Sequence, residues 1–236
     1  MAFTVIKNWD NKTWLSSQNY INSFNKFLIK NIKFNSNFKI LDIGCGRGKI
    51  LGSLSSKLKL KIKPIGIDIV SHKDKDKRIN FKKINALNFS LTNNKKFDLV
   101  LIKQTIHLLK LNEIKRLLRV LKTNLNPNGK IFIFTLDTNE SEIPSFKLMK
   151  LKLNKSLKRD KKILKIITKL YPNRIKKSFI FNVKIKKKKY IKMIQNRYIS
   201  ILIPLSERKI IEGSQEIDLK YKDILRFNDK LTCFIL

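Results

Sequence analysis

Glycine, cysteine, histidine and acidic side chains are all scarce in this chain, and each shortage narrows what it can be. Two cysteines, Cys45 and Cys233, stand far apart with no CxxC pair, which points away from a disulfide framework and from a thiolate metal site. Two histidines and no cluster with metal-ligand spacing leave no metal to expect. Five prolines and seven glycines build no linker between halves, and 236 residues fit the ~250-residue reach of a single domain. No apolar run approaches the ~20 residues of a membrane-spanning helix, and no early stretch reads as a signal peptide. The expectation is one soluble, cytoplasmic domain with no membrane insertion.

Acid is the most telling shortage. Only 17 acidic residues face 53 basic ones, a formal charge of +36. Clustered lysine and arginine neutralise phosphates and release counterions, so a polyanion such as RNA is one reading. The other is codon composition: only nine of the 53 are arginine, and the chain is rich in Lys, Asn, Ile and Phe together. Lysine is spread along the whole chain, with one block at "KIKKKK" (184–189). Charge alone identifies no function.

With 42% hydrophobic residues the chain can build a core. Residues 1–36 are polar and helical in pattern, with Tyr20, Ile21, Phe24, Phe27 and Leu28 at three-and-four spacing. "FKILDI" (38–43) reads as a strand covered on both faces. Further strands fit 62–70, 79–84, 97–102 and 130–136, and a helix begins near Leu111 with Asn112 as its cap. "NPNG" (126–129) signals a turn, and "SHKDKDKR" (71–78) is too short for a crossover helix. Beyond 137, a helix over 163–170, a strand over 178–185, mostly helical 188–226 and a last strand at 231–236 are expected. Alternating strands and helices predict a parallel sheet of βαβ units.

Three of the seven glycines fall at alternate positions in "ILDIGCGRGK" (40–49). A dinucleotide loop would be GxGxxG, but Lys49 stands where its third glycine belongs. Asp42, two residues before Gly44, would repel a pyrophosphate and suits an ammonium group instead. The loop therefore fits a ligand with an amino group and no phosphate.

At these residues the chain resembles the class I S-adenosylmethionine-dependent methyltransferases. "LDIGCGRG" is similar to their first motif, "IGID" ends in Asp68 where the family's acid meets both ribose hydroxyls, "FDLVLIKQTIHLL" (97–109) resembles their fourth-strand segment, and "LKTNLNPNGKIFIF" (121–134) their turn into strand five. The resemblance covers roughly 35–136. It implies a Rossmann-like, doubly wound α/β fold: a mostly parallel seven-stranded sheet with helices on both faces, an antiparallel final strand and a helical cap. It divides the chain into an N-terminal helical lid (1–36), a cofactor-binding core (37–136) and a C-terminal half (137–236) with a substrate cap at about 188–226. It implies S-adenosyl-L-methionine as cofactor, held by Asp42, Gly44, Cys45, Gly46, Gly48, Ile67, Asp68, Asn85, Ala86, Lys103 and Gln104. Asn85 stands where the family usually has an acid for the adenine amino group; its amide oxygen can still accept. The short crossover after Asp68 leaves one side of the adenine pocket open or covered by loop 71–78.

Methyl transfer from a sulfonium is chiefly a matter of orientation, with a base needed only when the nucleophile must lose a proton. The (Asp/Asn)-Pro-Pro-(Tyr/Phe) motif of amino-group enzymes acting on DNA is absent after strand four, as are a Pro-Cys nucleophile and a Lys-Asp-Lys-Glu set. What remains resembles small-molecule methyltransferases. "KQTIHLL" then makes His107 the candidate base or substrate contact, while His72, in a Lys/Asp-rich loop, is expected to be solvated. By the same resemblance Trp14, Tyr20, Arg197 and Tyr198 face the substrate. A small-molecule acceptor is expected; RNA methylation, or nucleic-acid binding without catalysis on the same fold, are the alternatives.

Overall fold

A computed structural model describes residues 13–137 and 141–236; the first 12 residues of the expected lid lie outside them. Seven strands form one sheet in the order β3-β2-β1-β4-β5-β7-β6. They are β1 (Ile40–Ile43), β2 (Ile65–Asp68), β3 (Asn80–Lys83), β4 (Phe97–Lys103), β5 (Leu125–Leu136), β6 (Ile175–Lys186) and β7 (Ile224–Ile235). β1 to β5 pair in parallel, and β7 runs antiparallel to both β5 and β6. This is the Rossmann-like sheet that the sequence predicted, antiparallel final strand included.

The helices are α1 (Gln18–Asn31), α2 (Lys49–Lys57), α3 (Ala86–Thr92), α4 (Leu111–Thr123), α5 (Lys147–Leu170), α6 (Lys187–Gln195) and α7 (Glu207–Lys220). Side chains of a strand alternate between faces, and β4 does so strictly. Leu99 and Leu101 enter one core with α1, α2, α6 and α7, while Val100 and Ile102 enter a second with α3, α4 and the C-terminal half of α5. That parity fixes where the polar strand residues point. Asp42 shares a face with Ile40, Lys103 with Leu101, and Asp229 with Leu231. All three therefore point to the α1 side, at the edge where the parallel strands end.

Several boundaries differ from the sequence reading. The "NPNG" turn is part of β5, which starts at Leu125 opposite Phe97 and absorbs the irregularity as a register shift between Phe97 and Leu99. Asn112 does not cap α4; Lys110 does, its amide bonded to the Glu113 carboxylate at 2.9 Å. α5 starts at Lys147 rather than near 163, and β7 starts at Ile224 rather than 231. Both are lysine-rich or mixed in pattern, so their apolar periodicity is diluted. The stretch 188–226 holds α6, a 3-10 turn and α7 before β7 begins.

Candidate functional site

The strand order reverses between β1 and β4, and in open α/β sheets such a crevice at the strands' carboxyl ends is where ligands bind. Two loops meet there. The loop after β1 is tied down by its own backbone: Gly44 N and Cys45 N both donate to Ile67 O of β2, at 2.8 and 3.1 Å. The loop after β4 presses against it so closely that a Cβ on Gly44 would lie 2.1 Å from Thr105 Oγ1. Gln104, between them, has φ 50, a left-handed conformation uncommon for such a residue.

Gly46 differs from its neighbours. Its φ is +55, and a Cβ built there would meet nothing within 4 Å. Glycine at this position leaves open space beside the backbone, which is what close approach of a ligand requires. Gly48 follows as the cap of α2 with no side-chain bond to that helix's first amides, so they remain as donors.

Asp68, at the end of β2, accepts from Gly46 N (2.8 Å) and Val70 N (2.9 Å), one through each oxygen. It thus holds the loop in place while each oxygen keeps a lone pair for another donor. Asn85 caps α3, its oxygen accepting from Leu87 N and Asn88 N at 2.8 and 3.4 Å, with Ala86 buried behind it. The crossover 71–78 is tied to the loop after β1. Asp76 N donates to Arg47 O (2.9 Å), the buried Arg47 pairs with Asp74 (2.9 Å), and the Asp76 carboxylate packs over Gly52 in a bidentate pair with Arg78. His72 is buried within this clip and not solvated as expected.

On the α1 side, groups from distant parts of the chain converge. Asp42 is buried, and burial drives its pKa up to about 7, against the pull of Lys103 and with the help of Asp68. Lys103 extends over the rings of Tyr20 (5.1 Å) and Phe24 (5.6 Å). Its charge also offsets, in part, the upward shift that burial imposes on Asp229. Asp229 is 2% exposed and accepts from Trp14 Nε1 at 2.9 Å. Trp14 in turn lies edge-on to Tyr198 and Phe227, both at 5.3 Å, and Tyr198 meets Tyr190 hydroxyl to hydroxyl at 3.0 Å. The Tyr20 hydroxyl is buried beside this group without a hydrogen-bond partner. Burial, with the nearby Asp229 carboxylate, holds its pKa well above the usual value. A cavity of about 10 Å³, lined in part by Leu136, Ile143 and Asp229, is about one water in size.

Thus Trp14, Tyr20 and Tyr198 do come together, and the sequence missed Asp229, which joins them. No motif marks Asp229; its signal is an acid inside an apolar strand pattern. Arg197 is engaged elsewhere, with φ 50 and its guanidinium donating to Leu205 O at 3.2 Å. His107 lies in a 3-10 turn at Ile106–Leu108 against α5, where Arg159 donates to the carbonyls of His107 and Leu109. Burial and the Arg159 cation pull its pKa down to about 4, so it is neutral at pH 7. Burial and the two nearby carboxylates raise the Cys45 thiol far above its usual value, which removes it as a nucleophile. No group of three or more metal-ligating side chains occurs among the described residues. A depression of about 480 Å³ lined by Asn22, Lys26 and Lys57 lies toward the far end of α2 and holds none of these groups.

Residues 18–168 match the family described as "Methyltransferase domain". No curated protein matches the chain closely enough to count as a relative. Among solved structures, the plantazolicin methyltransferase BpumL, in complex with a triazolic desmethyl analog and SAH, is 20% identical with TM-score 0.52 over 97% of this chain and 87% of that one. A putative methyltransferase from an antibiotic biosynthesis pathway of Anabaena variabilis gives TM-score 0.60 at 12% identity, over 89% and 95%. A SAM-dependent methyltransferase from Geobacter sulfurreducens, solved with S-adenosyl-L-homocysteine, gives 0.52 at 12%, over 93% and 89%. At these identities the likeness is one of fold. No helix among the described residues is long and apolar enough to cross a membrane.

Proposed function

The chain belongs to the methyltransferase domain family of class I S-adenosylmethionine-dependent enzymes, and we propose that its acceptor is a small molecule bound on the α1 side of the crevice. The residues present fit the cofactor. Gly46 opens onto empty space, Asp68 has lone pairs left for ribose hydroxyls, and Asp42 supplies a buried carboxylate for an ammonium group. Asn85 spends both lone pairs of its side-chain oxygen on Leu87 N and Asn88 N, so against expectation only its amide NH2 group is left for the adenine edge; on this reading Ile67, Cys45, Ala86, Lys103 and Gln104 complete the walls. When bound, the cofactor supplies an electrophilic methyl group on a sulfonium, displaced in line. The chain's own task is to orient the acceptor and exclude water.

The observation that carries the acceptor reading is the orphaned Tyr20 hydroxyl. A buried polar group without a partner calls for one, and this one lies near Lys103 and Asp229, with Asp229 in turn bonded to Trp14. A compact polar molecule that reaches this group would meet the Tyr20 hydroxyl as a donor and the Asp229 carboxylate as an acceptor. Trp14, bonded to Asp229 and edge-on to Tyr198, is part of its cover in this reading. The plantazolicin methyltransferase BpumL, crystallised with triazolic and monoazolic desmethylPZN analogs and SAH, supports the same class. His107, whose neighbour is Arg159 of α5, is kept in this reading only as a neutral contact near the strand-four loop, not as a strong base.

The test uses cofactor labelled on its methyl group and the small-molecule fraction of a cell extract. Tyr20→Phe and Asp229→Asn should each lower label transfer by at least tenfold while calorimetry shows cofactor affinity within about threefold of the parent. Full transfer by both variants would refute this placement of the acceptor.

A further inference from the structure

The positive charge is not evenly spread. Residues 143–206 hold 20 basic side chains and a single acid, Asp160, against 33 and 16 in the rest of the chain. Asp160 is buried. A codon bias toward lysine acts on the whole chain, yet α7 carries four acids to three basic residues and an Arg208–Glu212 pair one turn apart. The loss of acid is local.

Its centre is α5. That helix buries Leu153, Leu157, Ile163 and Ile167 and exposes Lys155, Lys158, Lys161, Lys162, Lys165 and Lys169. These lysines stand three and four residues apart along ~21 Å of helix, where like charges are neighbours and work against the helix. Arg159 anchors the start of this stretch to the turn after β4. At the other end Tyr171 donates to Leu118 O of α4 at 2.8 Å, and α4 exposes Lys115, Arg116, Arg119 and Lys122 alongside. The two helices share one core through Ile163, Ile167, Leu117 and Leu121, so their solvent faces form one basic ridge.

We propose that the ridge of α4 and α5 binds the phosphate backbone of a nucleic acid. Rows of mobile ammonium groups match a chain of phosphates through charge, with counterion release as the drive. An anionic membrane is a poorer match, because the exposed face of α5 between 155 and 169 carries no large apolar side chain to insert. The ridge lies on the face of the sheet opposite Tyr20, Lys103 and Asp229, and the inference holds whichever acceptor is methylated.

The experiment is fluorescence anisotropy of a labelled 20-nucleotide single-stranded RNA and a 20-base-pair DNA duplex, titrated from 50 to 300 mM salt. The ridge variant Lys158→Glu/Lys165→Glu is compared with Lys57→Glu/Lys95→Glu, which changes net charge equally on exposed sites elsewhere. The ridge variant should lose at least tenfold in affinity, and its salt slope on RNA should fall by about 1.4 for two lost phosphate contacts. The control should stay within about threefold. The ridge variant should also melt no lower than the parent, since each new glutamate sits one turn from remaining lysines. Tighter binding of one nucleic acid, with the same loss in the ridge variant, supports the ridge and identifies its source. Equal losses in both variants, no binding to either nucleic acid, or preference for phosphatidylserine vesicles over both would overturn it.

Discussion

Among the glycines after β1, Gly46 has no neighbour for a Cβ to strike, whereas Gly44 faces Thr105 and Gly48 faces Ile79. Alanine at 46 should therefore leave the fold intact apart from ~1 kcal/mol of left-handed strain and weaken cofactor binding at least tenfold. Alanine at 44 should instead lower the melting temperature. Calorimetry and a thermal melt of the two variants separate these roles. Asp68→Ala should abolish cofactor binding without unfolding the protein; unchanged binding would remove the ribose from this position. Asp42 carries a pH signature. Its folded pKa of about 7 lies above the unfolded value, so between about pH 4 and 7 the folded state holds a proton that the unfolded chain has released. Its contribution to stability then falls as pH rises through that window and is level above it. His107, depressed to about 4, acts in the opposite sense, adding stability as pH rises to about 6.5. Asp42→Asn removes only the first effect, so its melting temperature should gain on the parent's as pH rises from 4 to 7. Cofactor affinity of the parent should climb toward pH 7 and level off, while that of Asp42→Asn stays weak and flat. His107→Ala should slow turnover with cofactor affinity intact. The glycines, Asp42 and Asp68 were legible because their chemistry is local to one loop and one strand end. Asp229 and the clip on His72 were not, because their meaning comes from residues 215 positions away, in the case of Trp14 and Asp229, or from a loop fold with no periodic pattern.

At the scale of elements, β7 carries more than its pairing. It joins β5 to β6, and by its parity sends Asp229 to the face where Trp14 waits. Trp14→Phe keeps most of the ring packing but strips the buried carboxylate of its donor, which should cost about 1–3 kcal/mol in chemical denaturation. No loss would mean that Asp229 is satisfied without Trp14. The parallel strands β1 to β5 were readable from their apolar runs, since strands buried on both faces leave little else. β6, by contrast, sits at the sheet edge with most of its side chains exposed, and α5 hides its apolar stripe among lysines. Element ends in these two were blurred for the same reason: solvent-facing positions accept lysine in any secondary structure. The "NPNG" stretch reads as a turn by composition, but pairing of Leu125 with Phe97 draws it into the sheet.

For the whole molecule, one sheet separates two basic problems. Its α1 face gathers buried acids, a lysine and aromatic rings at the strand ends; its other face carries the α4–α5 ridge. Residues 143–206 alone carry a net +19 of the +36, so the charge does not by itself choose the acceptor. The most direct test of the account is transfer of labelled methyl from S-adenosylmethionine into a cell extract, with counts taken separately from small molecules, RNA and protein, and with Asp68→Ala as the blank. The account predicts label in the small-molecule fraction, absent with Asp68→Ala. Label in RNA or protein alone, or equal counts with Asp68→Ala, would contradict it.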